Sequence, residues 1–399
     1  MSFPTDLSDE EERVARRRLA ELAGSFLDDG TLVDPRWQEA FLRTWRHPYV
    51  PAYYPAVDRS CVLCVDGTQR SSWLEAVYSN QTLVTKVVQV PLSRTLRPAT
   101  TPMYTSSSTL PSLVLRMLET LDIHDGHRVL EIGTGSGYTC ALLCQRLGSG
   151  QVTSIDIDPE LVELARERLA ASGYAPTLAA VDGAEGYPPG APYDRILSTC
   201  AVPAIPGPWL EQAAPGAVIL TDVRGKLGGT LVRLRVDADG VATGRFVPYA
   251  AGFMWMRPAV EPATPGMVRY DDQLACSTTD LDPALLLEDG LFGFVAQWYL
   301  PTASRGVGSA DGQPVLHLTT PDGAYAEVAT TPVDGGFPVT QSGPQRLWDR
   351  VVEAHEFWQG AGRPGYERFG LTATPTEQHV WFDTPDSPHR WVLPGIGGG

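Results

Sequence analysis

The feature that most constrains the fold is a strand-to-helix turn. Val129 to Tyr138 reads VLEIGTGSGY, with glycines at 133, 135 and 137. The apolar run Val129, Leu130 and Ile132 predicts a buried strand, and Tyr138 to Leu147 predicts a helix directly after it. Glycines at such a turn leave bare backbone against which a ligand can lie, near the positive end of a helix. A second run, VTSIDID, closes on Asp156 with Ile157 beside it. An acidic side chain there can accept hydrogen bonds from both hydroxyls of a ribose. A third run, 176–181, ends at Asp182 and Gly183, where the adenine of a nucleoside would be read. The plainer reading of Asp182 is a turn aspartate.

Strands and helices alternate from residue 128 onward. Strands are predicted at 128–132, 151–156, 176–181, 193–199 and 217–222, and helices at 137–147, 159–172 and PGPWLEQAA. Asp158, Pro159 and Gly173 frame the second of these helices as cap, first turn and stop. Alternation of this kind predicts an α/β, doubly wound parallel sheet with its ligand at the carboxyl ends of the strands. Residues 228–249, with Asp239-Gly240 in the turn, read as a hairpin closing that sheet.

Glycine spacing selects the cofactor. A dinucleotide site needs G-x-G-x-x-G, but here the third glycine comes one residue early, at Gly137, and Tyr138 takes the place of a glycine or alanine. The form E-x-G-x-G-x-G, with Glu131 at the strand end, resembles S-adenosylmethionine-dependent methyltransferases. The expected cofactor contacts are Glu131, Gly133, Thr134, Gly135, Ser136, Gly137, Asp156, Ile157, Asp182 and Gly183, with S-adenosylhomocysteine as product.

Upstream, Ser8 and Glu11 predict a capping box on a helix whose apolar face carries Leu19, Leu22 and Phe26. Residues 1–105 read as a helical cover and 106–249 as the methyltransferase core, entered by an amphipathic helix over 111–121. Residues 250–399 read as an accessory α+β domain with one helix near 344–360 and a disordered GIGGG tail. Its tryptophans at 298, 348, 358, 381 and 391 are expected mainly in its core, with one or two along a peptide groove.

A formal net charge of −16 over 399 residues repels phosphate backbones and anionic bilayers, so neither nucleic acid nor membrane is an expected partner. The polar start and the absence of a long apolar run predict a cytoplasmic protein with its six cysteines reduced. Cys61 and Cys64 form a C-x-x-C, but no second pair stands at metal spacing, since Cys140 and Cys144 fall on a core helix. No metal is expected, and His124 and His127 read as surface residues.

Several segments together resemble the protein-L-isoaspartate O-methyltransferases. They are RHPYVP (46–51), TSSSTLPSLVLRMLE (105–119) and YDRILSTCAVPAIPGPWLEQAAPGAVIL (193–220), and the resemblance covers roughly residues 35–225. It implies carboxyl methylation, with Thr109 holding the acceptor carboxylate and Ser108 as its neighbouring substitute. It also implies that the backbone of Cys200, Ala201 and Val202 holds an extended peptide. Thr109 departs from the serine and Leu110 from the small or amide residue of repair enzymes; Thr109 could equally be a helix N-cap. Ser106 to Ser108 read as a flexible loop.

The added length, VYSNQTLVT (77–85), the Ser/Thr-rich 105–109 and RPGYERFGLTATP (363–375) resemble actinobacterial methyltransferases that mature graspetides. This implies a modified, crosslinked precursor peptide as substrate, methylated on an aspartate and closing to a succinimide (aspartimide). The alternatives are a general isoaspartyl repair enzyme and a non-catalytic binding module with the same fold. A small-molecule O-methyltransferase would have no use for RHPYVP or Ala201 to Pro206. A monomer or weak dimer is expected.

Overall fold

A computed structural model describes residues 6–55, 65–66, 70–91, 100–258, 274–310 and 312–394. Cys61, Cys64 and the 395–399 tail lie outside the described residues. The chain divides into two compact units: residues 1–199 with 212–220, and residues 200–211 with 221–399.

In the first unit, α1 (Asp9–Asp28) opens with the predicted capping box and buries Ala15, Leu19, Ala23 and Phe26. Leu22 is only half-buried, because Ala23 takes the inward position. After α2 (Pro35–Arg43) and α3 (Arg70–Val77) comes a hairpin of β1 (Leu83–Pro91) and β2 (Thr100–Ser108), paired antiparallel. The amino-terminal region is therefore not wholly helical, and Ser106 to Ser108 are strand rather than loop. The reason is local: Val and Thr fill much of β1, Thr and Tyr lead into Ser106 in β2, and β-branched and aromatic side chains suit a pleated ladder.

Helix α4 (Pro111–Thr120) leads into the alternating core: β3 (Val129–Ile132), α5 (Tyr138–Leu147), β4 (Val152–Asp156), α6 (Pro159–Ala171), β5 (Thr177–Ala180), β6 (Tyr193–Val202), α7 (Gly207–Gln212) and β7 (Ala213–Arg224). Within the first unit the hydrogen-bonded order is β7-β6-β3-β4-β5. β3 pairs parallel with both β4 and β6, and β4 with β5. All four residues of β3 are buried, as expected for a parallel strand covered on both faces. The predicted α/β doubly wound architecture is present, and its boundaries fall within a few residues of those read from the sequence.

The second unit is richer in structure than its sequence suggests. β8 (Gly229–Val236) and β9 (Ala242–Phe246) form the predicted hairpin, but β9 also pairs with a distant segment. The later elements are β10 (Ala275–Thr279), α8 (Ala284–Glu288), α9 (Gly290–Tyr299), β11 (Ser304–Ala310), β12 (Gln313–Thr319), β13 (Tyr325–Ala329), β14 (Phe337–Ser342), α10 (Leu347–Gly360), β15 (Phe369–Ala373), β16 (Gln378–Phe382) and β17 (Arg390–Val392). One antiparallel group runs β17-β16-β15-β9-β8 and a separate five-stranded sheet runs β10-β14-β13-β12-β11. Helix α10 matches the predicted one. Helix α9 was not predicted, because Gly290-Leu-Phe-Gly-Phe-Val-Ala is apolar on every side and shows no helical period. Trp298, Trp348, Trp358 and Trp381 are buried, leaving only Trp391 of the five partly exposed. Among the described residues no helix is long and apolar enough to cross a membrane.

Candidate cofactor and acceptor site

The glycine turn sits at the carboxyl end of β3, as the sheet rule requires. Gly133, Gly135 and Gly137 have φ of 99°, 51° and 89°, in the region that side chains disfavour. A Cβ at Gly137 would lie 3.2 Å from the Cβ of Ala165, so the turn is also pressed against α6. Gly133 and Thr134 donate their N–H groups to the carbonyl of Ile155, at 2.8 and 3.1 Å. Asp156 receives the Gly135 N–H at 2.9 Å on one oxygen and the Asp158 N–H at 3.1 Å on the other. The carboxylate expected to face a ribose thus also shapes the glycine turn.

Glu131 is completely buried. The Ser154 hydroxyl donates to its Oε2 at 2.6 Å, and the Thr134 and Ser154 hydroxyls lie 2.7 Å apart. Its Oε1 has no hydrogen-bond partner among the described residues. Burial pushes the Glu131 carboxyl up to about 8, with the Ser154 hydrogen bond opposing and the Asp156 charge adding to the rise. Ser136 is buried, and its carbonyl accepts from Arg168 at 3.3 Å. Ile157 is half-buried next to Asp156. Asp182 caps the short turn Gly183–Glu185, accepting the Ala184 N–H at 2.9 Å, so the turn role weighed from sequence is real.

These residues converge within the first unit. An orphaned buried carboxyl oxygen, three glycines of positive φ and an acidic strand end suit S-adenosylmethionine, which has a cationic amino acid end and a ribose but no phosphate. Sequence reading missed Thr199, whose hydroxyl donates to the carbonyls of Ile132 and Gly133 at 3.2 and 3.0 Å. Its place beside β3, near the carboxyl end of β6, was the available signal.

The hairpin β1–β2 approaches the same turn. A Cβ at Gly135 would meet Ser106 Oγ at 3.5 Å and the Ser107 carbonyl at 3.7 Å. Thr85 donates to Ser106 Oγ at 2.9 Å, and Lys86 is paired with Asp158 at 2.8 Å, at the start of α6. Thr109 follows β2 directly. The N-cap of α4 is Leu110, without a side-chain cap, so Thr109 is not the cap that sequence allowed. Capping is done from elsewhere: Leu110 N–H donates to Thr82 Oγ1 and Ser112 N–H to Asn80 Oδ1, each at 3.1 Å. The half-buried Thr109 hydroxyl makes no hydrogen bond among the described residues. Ser108 is buried and its hydroxyl oxygen accepts from Arg46 Nε at 3.1 Å. Of the two candidates, Ser108 is buried and held by Arg46, and Thr109 is the more exposed.

Cys200, Ala201 and Val202 belong to the second unit. Ala201 donates its N–H to the Met254 carbonyl at 2.8 Å and accepts from Met256 N–H at 2.9 Å. The backbone of Ala201 is thus already paired on both sides. Cys140 and Cys144 are buried on α5 and His124 is exposed, as expected, whereas His127 is half-buried and accepts the His124 N–H at 3.0 Å. No cluster of metal ligands occurs among the described residues.

Comparison with known proteins agrees with this geometry. A family model described as protein-L-isoaspartate(D-aspartate) O-methyltransferase (PCMT) matches residues 64–247. A protein-L-isoaspartate O-methyltransferase of Methanosarcina mazei is 30% identical over 214 residues, covering 53% of this chain and 73% of its own. The second such enzyme of Archaeoglobus fulgidus is 46% identical over 152 residues, covering 36% and 69%. A solved structure titled protein-L-isoaspartate O-methyltransferase aligns with a TM-score of 0.51 at 18% identity, covering 92% of this chain and all of that one. That likeness speaks to fold alone, and it extends beyond the methyltransferase core. The chain belongs to the protein-L-isoaspartate O-methyltransferase family and is an S-adenosylmethionine-dependent O-methyltransferase.

Proposed function

We propose that this protein methylates the carboxylate of an aspartyl or isoaspartyl residue in a ribosomally made, crosslinked peptide, and that the resulting ester closes to a succinimide. The observation that carries the acceptor reading is the Thr109 hydroxyl, half-buried directly after the strand whose Ser106 and Ser107 lie over the glycine turn, and without a hydrogen bond among the described residues. When bound, S-adenosylmethionine supplies a methyl group made electrophilic by its sulfonium.

The rest of the chemistry falls to the chain's own residues. A carboxylate is ionised at neutral pH, so no strong base is needed and the rate gain comes from positioning and from excluding water. Thr109 donates to one carboxylate oxygen and so orients the other. Glu131, Asp156 and the glycine backbone hold the cofactor, while Ser106 and Ser107 cover the turn. The second unit, with Cys200 and Val202 at its start and Trp391 partly exposed, is the proposed selector of the peptide. Once the ester forms, the backbone nitrogen of the following residue attacks its carbonyl carbon and methanol leaves.

The crosslinked substrate rests on the resemblance of 77–85, 105–109 and 363–375 to peptide-maturation enzymes. A second reading, repair of isoaspartyl residues in many proteins, is favoured by the names of the relatives. The length of the chain does not separate the two, because the solved structure of that name spans 92% of it. The separating test is transfer of labelled methyl to a generic isoaspartyl peptide and to a crosslinked aspartate-bearing precursor, followed by mass. Methylation and methanol loss confined to the precursor supports maturation; turnover of the generic peptide returns the protein to repair.

A further inference from the structure

Arg46 opens the RHPYVP motif and is only 1% exposed, yet no carboxylate pairs with it among the described residues. Its guanidinium instead donates to six oxygens on two segments. On one side it reaches the carbonyls of Val77, Ser79 and Gln81, at 3.2, 3.3 and 3.0 Å. On the other it reaches Ser108 Oγ at 3.1 Å, the Ser108 carbonyl at 2.9 Å and the Thr109 carbonyl at 3.1 Å. Burial holds its pKa down at about 10, below the usual guanidinium range.

A buried cation answered by carbonyls, one hydroxyl and the ring of Tyr138, 5.9 Å away, is an unusual way to tie loops together, since desolvating the charge is costly and neutral packing would serve. Two features give it a use. The residue it grips, Thr109, has a hydroxyl with no hydrogen bond among the described residues. The planar fork fixes two carbonyls and a hydroxyl at once, which a point-like ammonium cannot do. An anion is also missing from its surroundings, and the acceptor of a carboxyl methyltransferase brings one.

We propose that Arg46 is a positioning residue for the acceptor: it fixes the backbone at Ser108 and Thr109 so that the Thr109 hydroxyl meets the carboxylate, and its charge favours the anionic acceptor there. This rests on the acceptor reading of Thr109 given above. During transfer the carboxylate oxygen forms the new C–O bond, the C–S bond breaks with its electron pair left on sulfur, and both charges disappear. A nearby cation therefore favours the bound carboxylate at least as much as the transition state. Its removal should act on acceptor KM more than on kcat.

The test measures acceptor KM, kcat and the Kd of S-adenosylhomocysteine for R46Q, R46K, T109V and the R46Q/T109V pair. The expected results are an acceptor KM raised roughly tenfold by R46Q, a smaller rise for the charge-keeping R46K, and a Kd within about twofold of the unaltered enzyme. The double variant should cost less than the product of the two singles, because the residues act together. Independent, multiplying effects, or a Kd that rises in step with KM, would overturn the role of Arg46. Failure of T109V itself to move acceptor KM would instead overturn the reading of Thr109, and this proposal with it. If R46Q does not fold, S108A takes its place, since it removes only the Nε acceptor. It should raise acceptor KM about threefold, and an unchanged KM would count against the proposal.

Discussion

The cofactor half and the acceptor half of this site are held in place by different physics. The cofactor half is a backbone object: a parallel strand, three glycines of positive φ and carboxylates at the ends of neighbouring strands. Its parts sit at the carboxyl ends of successive parallel strands, and their places follow from the sheet. The acceptor half is stitched from segments far apart, with Arg46 reaching across 62 positions to Ser108, and Thr82 and Asn80 capping the helix that follows Thr109. Changes to the first should act through shape, and changes to the second through a few polar contacts.

The largest expected effect falls on Asp156, whose carboxylate receives two backbone N–H groups. Asp156→Ala should weaken S-adenosylhomocysteine binding by about 2 kcal/mol, or roughly thirtyfold, in calorimetric titration. Gly137→Ala comes next. Its φ of 89° and a Cβ contact of 3.2 Å with Ala165 should lower unfolding stability by about 1–3 kcal/mol in denaturant melts. Equal melting of variant and parent would show that α5 and α6 can part freely.

Glu131 offers a pH test. Its carboxyl is raised from 4.5 to about 8 in the folded chain, so folding favours the protonated form. That contribution is complete below about 4.5 and is lost as pH rises through about 8. Glu131→Gln should flatten this part of the stability profile of the cofactor-free protein, and an unchanged slope would remove the assignment. The smallest effect belongs to Lys86, partly exposed and paired with Asp158. Lys86→Met should cost under about 1 kcal/mol, and less at high salt.

The contrast also explains what could be read from sequence. Strand, turn and helix around 129–147 were legible because period, glycine and apolar run agree locally. The cofactor residues inherit their positions from that pattern. Arg46 stood in a motif, but its six acceptors depend on tertiary structure that no spacing reveals. Thr109 looked like a helix cap because it precedes Leu110-Pro111; only the structure puts the capping groups at Asn80 and Thr82. Helix α9 and the pairing of β9 with β15 were hidden for related reasons, an aperiodic apolar run and a partner more than a hundred residues away.

The most direct test of the division is to measure cofactor Kd and acceptor KM side by side on Asp156→Ala and Thr109→Val. The account predicts a crossover: Asp156→Ala raises the Kd roughly thirtyfold, while Thr109→Val raises acceptor KM and leaves the Kd within about twofold. Both constants moving together in both variants would contradict it, since the two halves would then be one structural unit.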